Sequence, residues 1–336
     1  MHRRELLSAA GGGICLGLGG CLGRFDTDGA TGTSIRTVEV ESSISVAVFR
    51  WGLREGVWAD RGIDLDFETA PFGRYNRQIV DGEANVGAPS AVAQLELTNK
   101  GEPLTFVAPQ QNMFNRMFAR ADDGTIEDPT DLTDRRLGLP ASLSSTTSIV
   151  HRVLVEDEYE FDIVEDTADT RAAEPPALWE FLLEGELDAV SQFSGFTIRG
   201  MADDGVKTIF DPYALWYDRT GVGVPTTAFT VRPEWLSEHA DAVDDFLAGW
   251  AAALDSFGAN TEAALEEFGA DAGITDPDEA AVVVDLMDDG VVFGPAYYDE
   301  ELVDAHWTFF ELLADADEIG LGDRETTFRT QEELRG

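Results

Sequence analysis

Strand-like and helix-like periods take turns along almost the whole chain, with only short turns between them. That alternation narrows the possible folds more than any other feature. Ile35 to Glu41 alternates apolar and polar residues, the period of a strand. Ser42-Ser43 then offers an N-cap for a helix through Val46, Phe49, Trp51 and Leu53, which Gly56 stops. Asp64 to Thr69 reads as a second strand, and Ala70-Pro71-Phe72-Gly73 turns into a helix from Arg74 to Asp81 ended by Gly82. Ala84 to Gly87 is a short buried strand, Ala88-Pro89-Ser90 starts a helix to Asn99, and Leu104 to Pro109 is a fourth strand. Met113 to Arg120 is an apolar run. The Asp/Gly/Pro-rich stretch from Asp122 to Thr133 then marks a boundary.

A second unit of the same kind follows. Arg136 to Pro140 is a strand, Ser142 to Thr147 a hydroxyl-rich turn, and Ile149, Val150, Val153 and Leu154 line a helix. Ala177 to Leu183 reads as helix and Ala189 to Gln192 as strand. Phe193-Ser194-Gly195 opens a short helix, and Lys207 to Phe210 and Thr226 to Val231 are strands. The rest is helical: Pro233 to Phe257, Thr261 to Phe268, Glu279 to Met287, and Asp299 to Leu313. This pattern predicts an α/β fold with parallel sheets flanked by helices. No repeat of solenoid period is present.

Composition limits the partners. The formal charge is −42, and lysine occurs only at Lys100 and Lys207. Nucleic acid and anionic bilayers would repel such a chain, because both are bound through clustered Lys and Arg. The acid is spread over the whole length, so in dilute salt it pushes the fold apart. In molar salt the screening length falls to about 3 Å and the repulsion largely disappears. The acidity is therefore read as adaptation to high salt. The hydrophobic content of 43% belongs to a globular chain with enough length for two cores.

The first residues read as an address. Arg3-Arg4 precedes a weakly apolar, glycine-rich stretch ending in Leu18-Gly19-Gly20-Cys21, similar to a twin-arginine signal with a lipobox. On this reading residues 1–20 are removed, Cys21 carries a lipid, and residues 21–34 tether the protein to the outer face of the cell membrane. The only cysteines, Cys15 and Cys21, then both belong to the address, which leaves no disulfide, thiol nucleophile or cysteine metal site. His2, His151, His239 and His306 show no metal-ligand spacing. The last three are read as helix-surface residues. No metal and no cofactor is expected.

Five ordered segments carry a resemblance. FRWGLREGVWADRGIDLDF (49–67) is similar to a first helix, its Gly-aromatic stop and the next strand. IVDGEANVGAPSAVAQL (79–95) is similar to a small-residue strand leading into a helix. DPTDLTDRRLGLPASLSSTTSI (128–149), LLEGELDAVSQF (182–193) and RPEWLSEHADAVDDFLAGW (232–250) follow in the expected order. Together they resemble the NMT1/THI5-like substrate-binding proteins of nitrate, sulfonate, taurine and thiamine-precursor importers. The resemblance implies a type II periplasmic-binding-protein fold: two Rossmann-like lobes, two crossing segments, and a solute clamped between the lobes. Lobe one would be 35–118 plus 228–336, and lobe two 119–227. It also implies an ABC permease and its ATPase subunit as partners, and no enzymatic activity.

In open α/β sheets ligands sit beyond the carboxyl ends of strands, where helix N-termini present free amides. That nominates five loops: Ser42-Ser43, Pro71-Phe72-Gly73, Ala88-Pro89-Ser90, Ser142 to Thr147, and Gln192-Phe193-Ser194. Ser144, Ser145 and Thr146 are the first candidates. Their hydroxyls and amides suit a sulfonate- or carboxylate-type oxyanion, and one of them also suits a helix cap. Gln110, with Gln111 and Asn112, adds uncharged donors and acceptors after a strand. Phe72, Phe193 and Trp216 either line an apolar wall or pack in a core. Arg74 either draws an anion or pairs on the surface. A pyrimidine-like ring is the alternative ligand. A ligand-sensing ectodomain is the alternative role; with no second membrane segment and no signalling domain in this sequence, it would need a separate partner. The pyrimidine-forming branch of the family uses a cysteine cluster and iron, which the mature chain lacks. No Ser-His-Asp order or phosphate-loop motif points to an enzyme of another kind.

Overall fold

The structure is a computed structural model and describes residues 32–193 and 195–336. The address, Cys21 and most of the tether lie outside the described residues, as does Ser194. In chain order the first sheet's elements are β1 (Thr33–Val40), α1 (Ile44–Glu55), β2 (Ile63–Ala70), α2 (Phe72–Val80), β3 (Val86–Gly87), α3 (Ala91–Asn99) and β4 (Thr105–Asn112). Those of the second are β5 (Met117–Arg120), β6 (Arg136–Pro140), α4 (Thr146–Tyr159), β7 (Asp169–Ala173), α5 (Pro175–Leu183), β8 (Ala189–Ser191), α6 (Gly195–Ala202), β9 (Val206–Phe210) and α7 (Pro212–Thr220). The chain then returns through β10 (Pro225–Val231). The helices α8 (Pro233–Gly258), α9 (Thr261–Phe268), α10 (Pro277–Asp288) and α11 (Glu300–Asp315) follow, and two short helices close the chain.

The sheets have the orders β2-β1-β3-β10-β4 and β7-β6-β8-β5-β9. They are mixed, not parallel as the alternation predicts. β1 runs parallel to β2 and β3, but β10 is antiparallel to β3 and β4. β6 runs parallel to β7 and β8, but β5 is antiparallel to β8 and β9. The reason is the two crossings. β4 ends at the carboxyl edge of the first sheet, and residues 113–116 carry the chain straight into the second. β5 therefore starts at that sheet's carboxyl edge and runs against its neighbours. β10 enters the first sheet in the same way after α7. The expected lobe bounds at 118/119 and 227/228 fall inside β5 and β10. Sheet membership changes at 113–116 and 211–224 instead.

Besides the two short closing helices, β7 and α7 are absent from the sequence reading. β7 (DTRAA) is a polar edge strand with no fully buried residue, so it lacks an apolar period. α7 is set by Asp211, whose carboxylate accepts from the Ala214 amide at 3.1 Å, by Pro212 in its first turn, and by Gly221 at φ 76°.

The first lobe's core is aromatic. Phe49 stacks on Phe67 at 4.7 Å and on Trp58 at 5.5 Å, and meets Trp250 of α8 at 4.9 Å. Trp58 Nε1 donates to the Phe246 carbonyl at 3.0 Å, so this indole is buried with its polar atom satisfied. A second cluster is continuous across both sheets. It joins Phe106 of β4 and Phe309 and Phe310 of α11 to Val150 and Leu154 of α4 and Trp216 of α7. Arg152 of α4 and Glu318 reinforce it with a 2.6 Å ion pair.

Two histidines expected on helix surfaces are buried. His151 Nε2 faces the Asn115 carbonyl at 3.1 Å, so it carries the proton, and Nδ1 accepts from Ser191 Oγ at 2.9 Å. Burial lowers its pKa to about 4 and that of His306 to about 3. Each lies on the core face of its helix, where the ring packs against Phe210 or Tyr298.

Gly249 in α8 gives a test of this packing. A Cβ there would overlap the Trp58 indole. Gly249→Ala should gain about 1 kcal/mol of helix propensity but lose about 1–3 kcal/mol to overpacking. Its denaturant midpoint in molar KCl is expected below that of the parent. A midpoint above the parent's would show that Trp58 has room to move.

Candidate functional site

Strand register places the nominated loops on two edges. Val40 is level with Ala70, and Val38 with Gly87, so the chain leaves β1, β2 and β3 from one side of the first sheet. Pro140 is level with Ala173, and Gly138 with Val190, which does the same for the second. The edges touch: Ser90 Oγ, the cap of α3, is hydrogen-bonded to Thr146 Oγ1 in the first turn of α4. Two nominated loops, Ala88 to Ser90 and Ser142 to Thr147, are thus in direct contact across the lobes.

Within the second loop the hydroxyls divide their roles. Ser145 Oγ accepts from the Ser148 amide at 3.3 Å and donates to the Pro140 carbonyl at 2.8 Å, so it is the cap. Thr146 spans the lobes. Ser144 is exposed and pairs with Ser142 at 3.2 Å. Ala141 at φ 62° turns the backbone out of β6 into this loop. Ser42 is exposed at φ 61°. Ser43 occupies the cap position of α1 but makes no cap bond. Its Oγ instead accepts from Gln111 Nε2 at 2.8 Å and pairs with Ser45 Oγ at 2.7 Å.

That pair belongs to a larger buried network. Gln110, Gln111 and Asn112 lie within β4, which runs three residues further than expected. Gln110 Nε2 donates to Glu39 Oε2 at 2.6 Å, and Gln110 Oε1 accepts from Thr227 Oγ1 at 2.8 Å. Glu39, near the carboxyl end of β1, is 3% exposed. Burial raises its pKa to about 7 against the opposing bonds from Gln110, the Val40 amide and Ser45. Burial, and after it the nearby Glu39, push the Tyr75 phenol of α2 well up, and its oxygen accepts from the Ala88 amide at 2.7 Å. Sequence reasoning passed over Glu39, Ser45, Tyr75 and Thr227. A signal for Glu39 was present: two-residue spacing puts it on the same face as buried Ile35.

On the other edge Gln192 is fully buried. Its amide donates to the Arg116 carbonyl at 2.9 Å and its Nε2 to the Pro175 carbonyl at 3.1 Å. Its Oε1 has no hydrogen-bond partner among the described residues. Phe193 beside it is 37% exposed. Trp216 is not at this edge; it packs against Phe309 at 5.1 Å in the shared core. Arg74 is exposed, 3.9 Å from Glu83, the surface pairing of its two readings. The Phe72 side chain lies outside the described residues. Arg116 and Asp211, one from each crossing, form a 2.6 Å ion pair. Among the described residues no cluster of His, Cys, Asp and Glu could hold a metal, and no helix is long and apolar enough to cross a membrane. A groove of about 770 Å³ between α9 and α10 is lined by Leu265, Ile274, Ala280 and Val284, and Gly273 beside it packs against Ser42 of the first edge.

Glu39 gives a pH test. The folded state keeps its proton up to about pH 7, whereas the unfolded chain releases it near 4.5, the ordinary value for a glutamate. Its contribution to stability is therefore lost as pH rises from 4.5 through 7. Glu39→Gln should gain stability over the parent on going from pH 5 to pH 8, by up to about 3 kcal/mol. Denaturant midpoints at both pH values measure this. A gap that does not widen would mean that Glu39 is not buried as described.

Comparison with known proteins agrees with this architecture. The aliphatic sulphonate binding protein SsuA from Escherichia coli superposes with a TM-score of 0.68 at 12% identity, covering 87% of this chain and 91% of that one. A putative sulfonate ABC transporter's periplasmic sulfonate-binding protein from Methylobacillus flagellatus gives 0.67 at 13%, covering 89% and 92%. The alkanesulfonate-binding protein from Xanthomonas axonopodis pv. citri bound to MOPS gives 0.64 at 12%, covering 87% and 95%. These likenesses show the fold, that of periplasmic binding proteins. No curated protein matches by sequence. A family profile described as "NMT1/THI5 like" matches residues 47–264, more than half of the chain. The chain belongs to the NMT1/THI5-like family.

Proposed function

We propose that this protein is the extracytoplasmic solute-binding component of an ABC importer. It holds a small solute between its two carboxyl edges and delivers it to a membrane permease driven by an ATPase subunit. A lipid on Cys21 keeps it at the outer face of the membrane. The observation that carries this reading is the meeting of the two edges at Ser90 and Thr146, with helix N-termini on both sides. The crossings at 113–116 and 211–224 are the natural hinge, and closure around a solute follows the usual hinge mechanism. Solved neighbours named for sulfonate binding support the same role.

The start of α4 suits an oxyanion. Its first-turn amides and the Ser142 and Ser144 hydroxyls are donors at the positive end of a helix dipole. Thermal unfolding in molar KCl tests both levels, using taurine, alkanesulfonates, nitrate, bicarbonate, aromatic carboxylates and pyrimidines. A ligand at 100 times its dissociation constant should add about 2.7 kcal/mol of stability. The double variant Ser142→Ala, Ser144→Ala leaves the Ser145 cap intact. It is expected to weaken an anionic solute about tenfold, roughly 1.4 kcal/mol, with the unliganded midpoint unchanged. Stabilisation only by uncharged rings would keep the importer role and refute the oxyanion. No stabilisation by any class would contradict the role.

A further inference from the structure

The two lobes touch on two sides, and the sides are unequally tied. On one side α4 and α7 of the second lobe pack on α11 of the first. Trp216 meets Phe309 edge-on at 5.1 Å, Arg152 pairs with Glu318 at 2.6 Å, and His306 is hydrogen-bonded to the Gly223 backbone in the second crossing. The Ser90–Thr146 contact belongs to this side, with Val92 and Ile149 of the same apolar cluster behind it. On the other side α6 of the second lobe packs on α10 of the first. Here α6 brings only Ile198 and the half-buried Met201 to the first lobe's core. Its one basic residue is Arg199, whereas α10 carries Asp278, Glu279, Asp285 and Asp288 and no base. Burial and then Asp276 raise the pKa of Glu279 and Arg199 lowers it, so the two charges are within reach of each other, but they form no close ion pair. Asp203 and Asp204 follow α6 directly. This weaker side stands at the solute loops: Gly273, just before α10, packs against Ser42, and Gln192 and Phe193 lead into α6.

We infer that the protein opens on one side only, with α4, α7 and α11 as a fixed pivot and the α6–α10 contact as a salt-held latch beside the Ser42 and Gln192 loops. A little apolar surface holds the latch closed, and like charge opposes it. In molar KCl the screening length of about 3 Å confines that repulsion, whereas at about 0.1 M it reaches about 10 Å, far enough to act across the contact. The pivot resists the same force because an aromatic core and a close ion pair hold it. The inference rests on the two-lobed fold and needs no solute, so its failure would leave the importer role untouched.

Distances between paired spin labels on the full chain test this with no solute present. Cys15→Ser and Cys21→Ser remove the only native thiols. Asp204→Cys with Asp278→Cys then reports on the latch, and Glu156→Cys with Glu311→Cys on the pivot; all four native side chains are exposed. Electron–electron resonance is read in molar KCl and at the lowest KCl concentration at which near-ultraviolet dichroism still shows the packed fold. The pivot pair should keep one narrow distance at both. Across the latch, the ratio of long to short distances should rise about threefold or more on dilution, as screening weakens. Ile198→Ala removes apolar contact from the latch. It should raise the same ratio about tenfold already in molar KCl, with the pivot distance unchanged. A single short latch distance under both conditions would overturn the inference. So would a longer pivot distance appearing along with the longer latch distance, or an Ile198→Ala variant whose latch ratio equals the parent's.

Discussion

Everything about this site depends on where the chain crosses between its two sheets. Both crossings leave from a carboxyl edge and arrive at a carboxyl edge, so the arriving strand must run against its neighbours. β5 and β10 do so, and the consequence is geometric. The edges from which α1, α3, α4 and α6 begin are held opposite each other, within reach of one hydroxyl pair. The N-termini of α3 and α4 therefore meet without any loop being long. The continuous apolar cluster from Phe106 through Phe309 to Val150 ties the lobes together, and it includes Val92 of α3 and Ile149 of α4 behind the Ser90–Thr146 contact. The Arg116–Asp211 pair ties the two crossings to each other.

The polar residues between the edges make sense only against that frame. A lobe whose core is Phe49, Trp58, Phe67 and Trp250 has no need of a buried carboxylate. Glu39 nevertheless sits at the end of β1 with Gln110, Gln111, Thr227, Ser43 and Ser45 bonded around it. Buried polar groups are retained at low cost only when satisfied. This set is satisfied within the first lobe, and it is Gln192 across the gap that is short of a donor. The strand-end side chains are buried and held by these bonds, whereas Ser142 and Ser144 of the turn are exposed.

Much of the architecture was legible in the sequence because two-residue and 3.6-residue apolar periods survive in nearly every element. Gly56 at φ 75° stops α1 where the pattern placed the stop. The strand directions were not legible, since periodicity carries no sign and the antiparallel insertion arises from the crossings. β7 escaped because an edge strand with no buried face has no apolar period, and α7 because its capping signals sit on a short, mixed segment. The nominated loops follow from the rule that ligands gather at strand carboxyl ends. The network does not, because Glu39 reads as one more acid in a chain of net charge −42. His151 and His306 were misplaced for a related reason. A titratable residue reads as a surface residue until its helical phase is followed, and both fall on core faces.

The central claim is that solute occupies the gap between the two carboxyl edges. Amide hydrogen exchange with and without a stabilising solute tests it most directly. The account predicts slowed exchange in peptides covering residues 40–46, 88–92, 141–148 and 191–197. It predicts no change in the α9–α10 groove around Leu265, Ile274 and Val284. Protection confined to that groove, with the four edge peptides unchanged, would contradict the account.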